Sequence, residues 1–142
     1  MRFATLALLA GVLFCAWSAW AAPDQESNQR QVSKEQQQMI DAAGEASETV
    51  TACYDIGAAG VTLEEVYTWS RRWADAQADG APKGEQVKAY MAHRDRMKKL
   101  FDKVKRRHDD GVVGGEKPRY EAAQYYAAEA TYLLLKMTSN SK

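Results

Sequence analysis

Two cysteines, two histidines and three prolines are all that 142 residues hold of the types that staple small folds, ligate metals or break helices. Each scarcity excludes something. Cys15 lies in an apolar N-terminal run, and once that run is removed Cys53 stands alone. No internal disulfide can then form, so the domain is not a disulfide-built scaffold. Cys53 reads as a small apolar residue on a helical stripe, with an intermolecular disulfide as the alternative. His93 and His108 fall fifteen residues apart on one predicted helix, about 22 Å at 1.5 Å per residue, and cannot share a metal within one chain. The spacings Cys-x-x-Cys, His-Glu-x-x-His and Glu-x-x-His are missing. So are the Gly-x-Ser-x-Gly turn of hydrolases and the Gly-Lys-Ser/Thr ending of a phosphate-binding loop, since Gly114-Gly115 runs on into Glu116-Lys117. Neither a cofactor nor a metal is expected, and no catalytic constellation can be named.

Proline scarcity points the other way, toward long helices, because an interior proline costs about 3 kcal/mol. Pro82 and Pro118 fall between helical stretches. No segment alternates with period two, whereas four step by threes and fours. Met39, Ala43, Ala46, Val50 and Cys53 form the first stripe, and Leu63, Val66, Trp69, Trp73 and Ala76 the second. The third runs Val87, Tyr90, Arg94, Met97, Phe101, Val104, His108, and the fourth Tyr120, Ala123, Ala127, Ala130, Leu134, Met137. Such stepping is the seam of antiparallel bundles. Arg94 on the third stripe calls for an acidic partner from the first two helices, or for a seam that is wet at that point. Glycines punctuate the stripes at Gly57 and Gly60, Gly80 and Gly84, and Gly111, Gly114 and Gly115, and Thr62-Leu63-Glu64-Glu65 reads as a capping box.

A shift of 54 positions lays Gly57 on Gly111, Gly60 on Gly114 and Ala74-Asp75-Ala76 on Ala128-Glu129-Ala130. Each half, about 39–80 and about 85–137, is then a helical hairpin, and a hairpin alone cannot bury its apolar faces. The expected fold is all-α: tandem hairpins in an antiparallel four-helix bundle spanning 34–138, with one extended glycine-broken hairpin as the alternative. The N-terminus has a different character. Arg2, the apolar run from Thr5 to Trp17 and Ala19-Trp20-Ala21 are the parts of a secretory signal peptide cleaved after Ala21. The run is shorter than the roughly 20 apolar residues that span a bilayer. An uncleaved anchor and lipid modification at Cys15 are the alternatives. Residues 22–33 read as a flexible segment, and the expected location is the periplasm or the extracellular space.

Charge is unevenly spread along a chain of net charge zero. Residues 34–80 carry three basic and nine acidic side chains, a net of −6, and residues 81–109 carry ten basic and four acidic, a net of +6. Opposite signs on facing helices set register and orientation. They also leave Lys98, Lys99, Lys105 and Arg106 as candidate contacts for an anionic surface or ligand. Nucleic acid is not expected, because Asp95, Asp102, Asp109 and Asp110 interleave with the cations and export removes the chain from it. Trp69, Arg72 and Trp73 are candidate protein contacts, since Trp and Arg are enriched at binding hot spots, although two tryptophans four apart also suit a core. Tyr125, Tyr126 and Tyr132 add aromatic surface beyond what a closed bundle needs.

Tyr54-Asp55-Ile56-Gly57 followed by Thr62-Leu63-Glu64-Glu65 and Ala74-Asp75-Ala76, with a looser copy from His108 to Ala130, resembles the helical hairpins of outer-membrane efflux channel proteins. Trp69 to Arg72 and His93 to Met97 are also similar to small exported bacterial helical proteins of unknown function. The resemblance spans roughly residues 39–136 and implies hairpin geometry. It implies no pore, because the chain lacks membrane β-strands. The expected role is non-enzymatic, through contact with another envelope protein or with a second copy of the chain.

Overall fold

The computed structural model describes residues 32–111 and 116–139. The expected signal peptide and most of the segment read as flexible lie outside them. Four helices follow one another: α1 (Lys34–Asp55), α2 (Leu63–Ala78), α3 (Lys83–Asp109) and α4 (Glu116–Ser139). The short links reverse the chain each time, which gives the antiparallel four-helix bundle and not the extended hairpin.

The ends of the helices follow from local chemistry. Ser33, placed in the flexible segment by its sequence, is the N-cap of α1, its hydroxyl accepting from the Gln36 amide at 3.1 Å. Thr62 and Glu65 form the expected capping box: the Glu65 amide donates to Thr62 Oγ1 at 3.2 Å, and the Thr62 amide donates to Glu65 Oε2 at 2.7 Å. Pro82 begins α3 as its N-cap. Pro118 does not separate helices; it lies in the first turn of α4, where the missing N–H costs no intrahelical bond. The ends of α1 and α3 are alike. Ile56 and Asp110 donate to the carbonyls four residues back, and Gly57 and Gly111 to those three back. Both glycines then turn the chain with φ of 71° and 69°, which a side chain with a Cβ would resist.

Along their backbones α1 approaches α2, α2 approaches α3, and α3 approaches α4, while α4 also touches α2. Among the described residues α1 has no other backbone neighbour. Side chains carry it across to α3: Asp55 pairs with Lys103, and the Arg107 guanidinium lies over the Tyr54 ring at 5.9 Å. The core divides into two apolar clusters. Leu63, Val66, Met97, Leu100, Val104, Ala123 and Ala130 join Tyr54 in one, and Ala74, Ala78, Ala89, Tyr90 and Leu134 form the other. Between them, at the middle of α2 and α3, two polar residues are sealed in.

Candidate functional site

Those two residues are Ser70, 1% exposed, and His93, 0% exposed. They exist as a pair because α2 and α3 run antiparallel, which brings positions 23 apart in sequence face to face. Ser70 Oγ and His93 Nδ1 lie 2.9 Å apart. Arg96, one turn further along α3, donates from Nε to Ser70 Oγ at 2.7 Å and from Nη2 to the Ser70 carbonyl at 3.1 Å. Ser70 Oγ accepts from Arg96 and shares one further proton with His93 Nδ1, the ring tautomer setting which of the two donates. His93 Nε2 is buried without a hydrogen-bond partner among the described residues. The Tyr67 ring lies 5.7 Å away, tilted by 56°.

The ring is held neutral. Burial lowers the His93 pKa from 6.5 to about 4, and the charges of Arg96 and Arg71 push the same way against the weaker pull of Asp75. Around it a second polar layer ties the helices together. Arg71 Nε donates to Asp75 Oδ1 at 2.9 Å, and the Tyr90 hydroxyl donates to the same oxygen at 2.7 Å. Burial first, then the bond to Asp75, raises the Tyr90 pKa to about 12. Tyr67 is raised to about 12 by burial and by its hydrogen bond to Glu129, and its ring stacks on Tyr126 at 4.4 Å. A serine beside a histidine suggests a nucleophile, but a substrate would have to reach both through a closed core. Here Ser70 Oγ is already occupied by Arg96. The geometry is that of a polar knot fixing the register of α2 against α3.

The structure keeps Tyr90, Met97 and Val104 in the α3 seam but puts His93 and Leu100 where Arg94 and Phe101 were expected. Tyr90, His93, Met97, Leu100 and Val104 are buried, whereas Arg94 is half-buried and bonds the neighbouring Asp95, at 2.7 Å from Nη2. The expected acid from α1 or α2 is not its partner. A neutral imidazole can be sealed against a hydroxyl; a guanidinium in the same slot would require a buried counter-charge.

The three residues expected to contact protein separate into two environments. Trp73 is part of the packing: its ring lies on Gly44, where a Cβ would come within 3.1 Å of it, and the Arg96 guanidinium covers it at 4.5 Å. Trp69 is half-buried and carries Arg72 over its ring at 4.8 Å. Together Trp69 and Arg72 line an outer groove of about 520 Å³ between α1 and α2, with Met39, Ala42, Ala43 and Ala76. Met39, assigned to the first core stripe, is 47% exposed there. The cationic candidates Lys98, Lys99, Lys105 and Arg106 are all exposed on α3. Lys105 pairs with Asp109, and Asp95 and Asp102 share the same helix face as the other three. Among the described residues no group of three or more His, Cys, Asp or Glu is placed to hold a metal ion, and no helix is long and apolar enough to cross a membrane.

Comparison with protein-family models, curated proteins and solved structures finds no match. The likeness of the hairpins to efflux-channel repeats therefore rests on their residues alone.

Proposed function

We propose that the protein is exported, loses residues 1–21, and acts in the periplasm or cell envelope by holding another protein, not by catalysis. The observation that carries this reading is the groove between α1 and α2. It is lined by the small residues Ala42, Ala43 and Ala76, by Met39 and Trp69, and by three charged residues, Arg72, Asp75 and Asp79. A large rigid ring flanked by small residues and capped by arginine is the arrangement that concentrates binding energy at protein interfaces. It suits an apolar side chain, with Arg72 on one hand and Asp75 and Asp79 on the other to orient polar neighbours of either sign. Contact with anions through α3 ranks behind it, because Asp95, Asp102 and Asp109 on the same face offset the cations there.

Two measurements bear on this reading. Protein recovered from the envelope fraction should have the intact mass of residues 22–142; retention of residues 1–21 would remove the export-and-cleavage part. A photo-crosslinking residue at position 72 should give one discrete protein adduct in cells, and the same probe at position 98 on α3 should not. Adding Trp69→Ala should lower the adduct yield by at least about fivefold, the effect of losing one hot-spot side chain. Equal yields from positions 72 and 98, or indifference to Trp69→Ala in a variant of unchanged helicity, would overturn the assignment of the groove.

A further inference from the structure

The fourth helix is apolar on two sides. Ala123, Ala130 and Leu134 face the core, yet Tyr125 is 61% exposed, Tyr132 64% and Leu135 60%. With Ala128, also exposed, they step three, four, three along the outer surface, which is the spacing of a helix–helix seam. Glu121 and Lys136 flank them. At 3.6 residues per turn all six fall within an arc of about 100°, over a length of about 22 Å. The exposed polar residues Gln124 and Thr131 lie to one edge of this stripe and not within it, so the tyrosines and Leu135 form an apolar face of the kind expected to be covered.

The order of these residues says by what. Reversed end for end about the point between Ala128 and Glu129, four of the six positions exchange in pairs: Tyr125 falls on Tyr132 and Glu121 on Lys136, while Leu135 falls on Ala122 and Ala128 on Glu129. In a two-fold pair residue i meets j and j meets i, so an antiparallel copy sets tyrosine against tyrosine and acid against base at these positions. Ala128, the smallest side chain of the stripe, lies beside the centre, where two helix axes come closest, with Glu129 on the other side of that point. The charges at the two ends are opposite, and neither Glu121 nor Lys136 makes an ion pair among the described residues. We infer that α4 pairs antiparallel with α4 of a second copy, with Tyr125 packed on Tyr132 of the partner and Glu121 meeting Lys136 of the partner, twice over. The occupant is the same chain, because an antiparallel copy matches the two exposed tyrosines and brings the opposite charges of Glu121 and Lys136 together at both ends. A single helix pair falls at or below the low end of stable interface sizes, so the association is reversible. The inference is independent of the groove between α1 and α2, which lies on other helices.

Sedimentation or light scattering of the chain as cells process it, over a hundredfold range of concentration, reads the outcome. A mass that rises from one copy to two is expected. Tyr132→Glu should weaken the dimer by at least about tenfold without loss of helicity, since the side chain it replaces is exposed. Glu121→Lys and Lys136→Glu should each weaken it at low salt, and the double exchange Glu121→Lys with Lys136→Glu should restore it, because only the antiparallel register opposes these two positions. In a Cys53→Ser background, Ala128→Cys should form a disulfide-linked dimer under mild oxidation. Trp69→Ala should leave the mass unchanged. A monomer at every concentration overturns the inference, whatever else then covers the stripe. So does a dimer that ignores Tyr132→Glu, or one whose charge reversals add instead of cancelling.

Discussion

Lowering the pH from 6.5 to 4 is expected to remove about 3 kcal/mol of stability through His93 alone, because its pKa falls from 6.5 in the unfolded chain to about 4 in the fold and each unit is worth about 1.4 kcal/mol. The sign follows from the direction of the shift. Above pH 6.5 the imidazole is neutral in both states and contributes no slope. Between 6.5 and 4 the unfolded chain binds a proton that the native ring refuses, so stability falls as the pH falls. Below 4 the loss is complete. The ring refuses the proton because an imidazolium would lie in a closed core beside the Arg96 and Arg71 charges, with Asp75 alone favouring it. Urea unfolding of the parent and of His93→Gln at intervals from pH 7.5 to 4.5 isolates the effect, since carboxylates titrating in both proteins cancel in the difference. Parallel curves for the two would mean that His93 is not held neutral.

Gly44→Leu is expected to cost about 3 kcal/mol, the upper range for forcing extra atoms into a filled contact. Gly44 is a mid-helix glycine, and on propensity alone its replacement should help α1 by up to about 1 kcal/mol. Packing decides otherwise. A Cβ at this position would lie 3.1–3.3 Å from three atoms of the Trp73 indole, and the Arg96 guanidinium lies over that ring. Alanine asks for a shift of a few tenths of an ångström and regains helix propensity, so Gly44→Ala should stay within about 1 kcal/mol of the parent. Leucine must push the ring out or lift α1 off α2. Chemical denaturation followed by tryptophan fluorescence compares the three, and a leucine variant as stable as the alanine variant would show that Trp73 does not fill the contact.

The parts of this fold that sequence makes legible are those set within one or two turns of chain. The Thr62–Glu65 box, the glycine stops after α1 and α3, and the buried stripe of α4 from Ala123 to Leu134 all follow from residues three or four apart. The α3 seam was less determinate. Tyr90, Met97 and Val104 belong equally to a stripe through Arg94 and Phe101 and to one through His93 and Leu100, and only the facing helix selects between them. The Ser70–His93–Arg96 knot leaves no trace in spacing, since it is made by the antiparallel placement of α2 on α3. Gly44 did carry a signal, a lone glycine inside a helical stretch, whose meaning depends on the tryptophan opposite. Of the candidate contacts, Trp69 and Trp73 share one side of α2 by periodicity, but the two sit against different neighbours, and periodicity does not say how wide a helix's covered side is. The surplus of tyrosine on α4 was visible, and its symmetric order became meaningful once Tyr125 and Tyr132 proved to face outward.

The single backbone neighbour of α1 makes the molecule mechanically one-sided. A pull on the N-terminus loads the α1–α2 interface first, the Gly44–Trp73 contact included, and reaches the Tyr54 and Asp55 contacts with α3 last. A pull on the C-terminus must part α4 from both α3 and α2 at once. Tension from the front of the chain therefore peels one helix and leaves the three-helix remainder, with its polar knot, intact, whereas tension from the rear has no such partial yield.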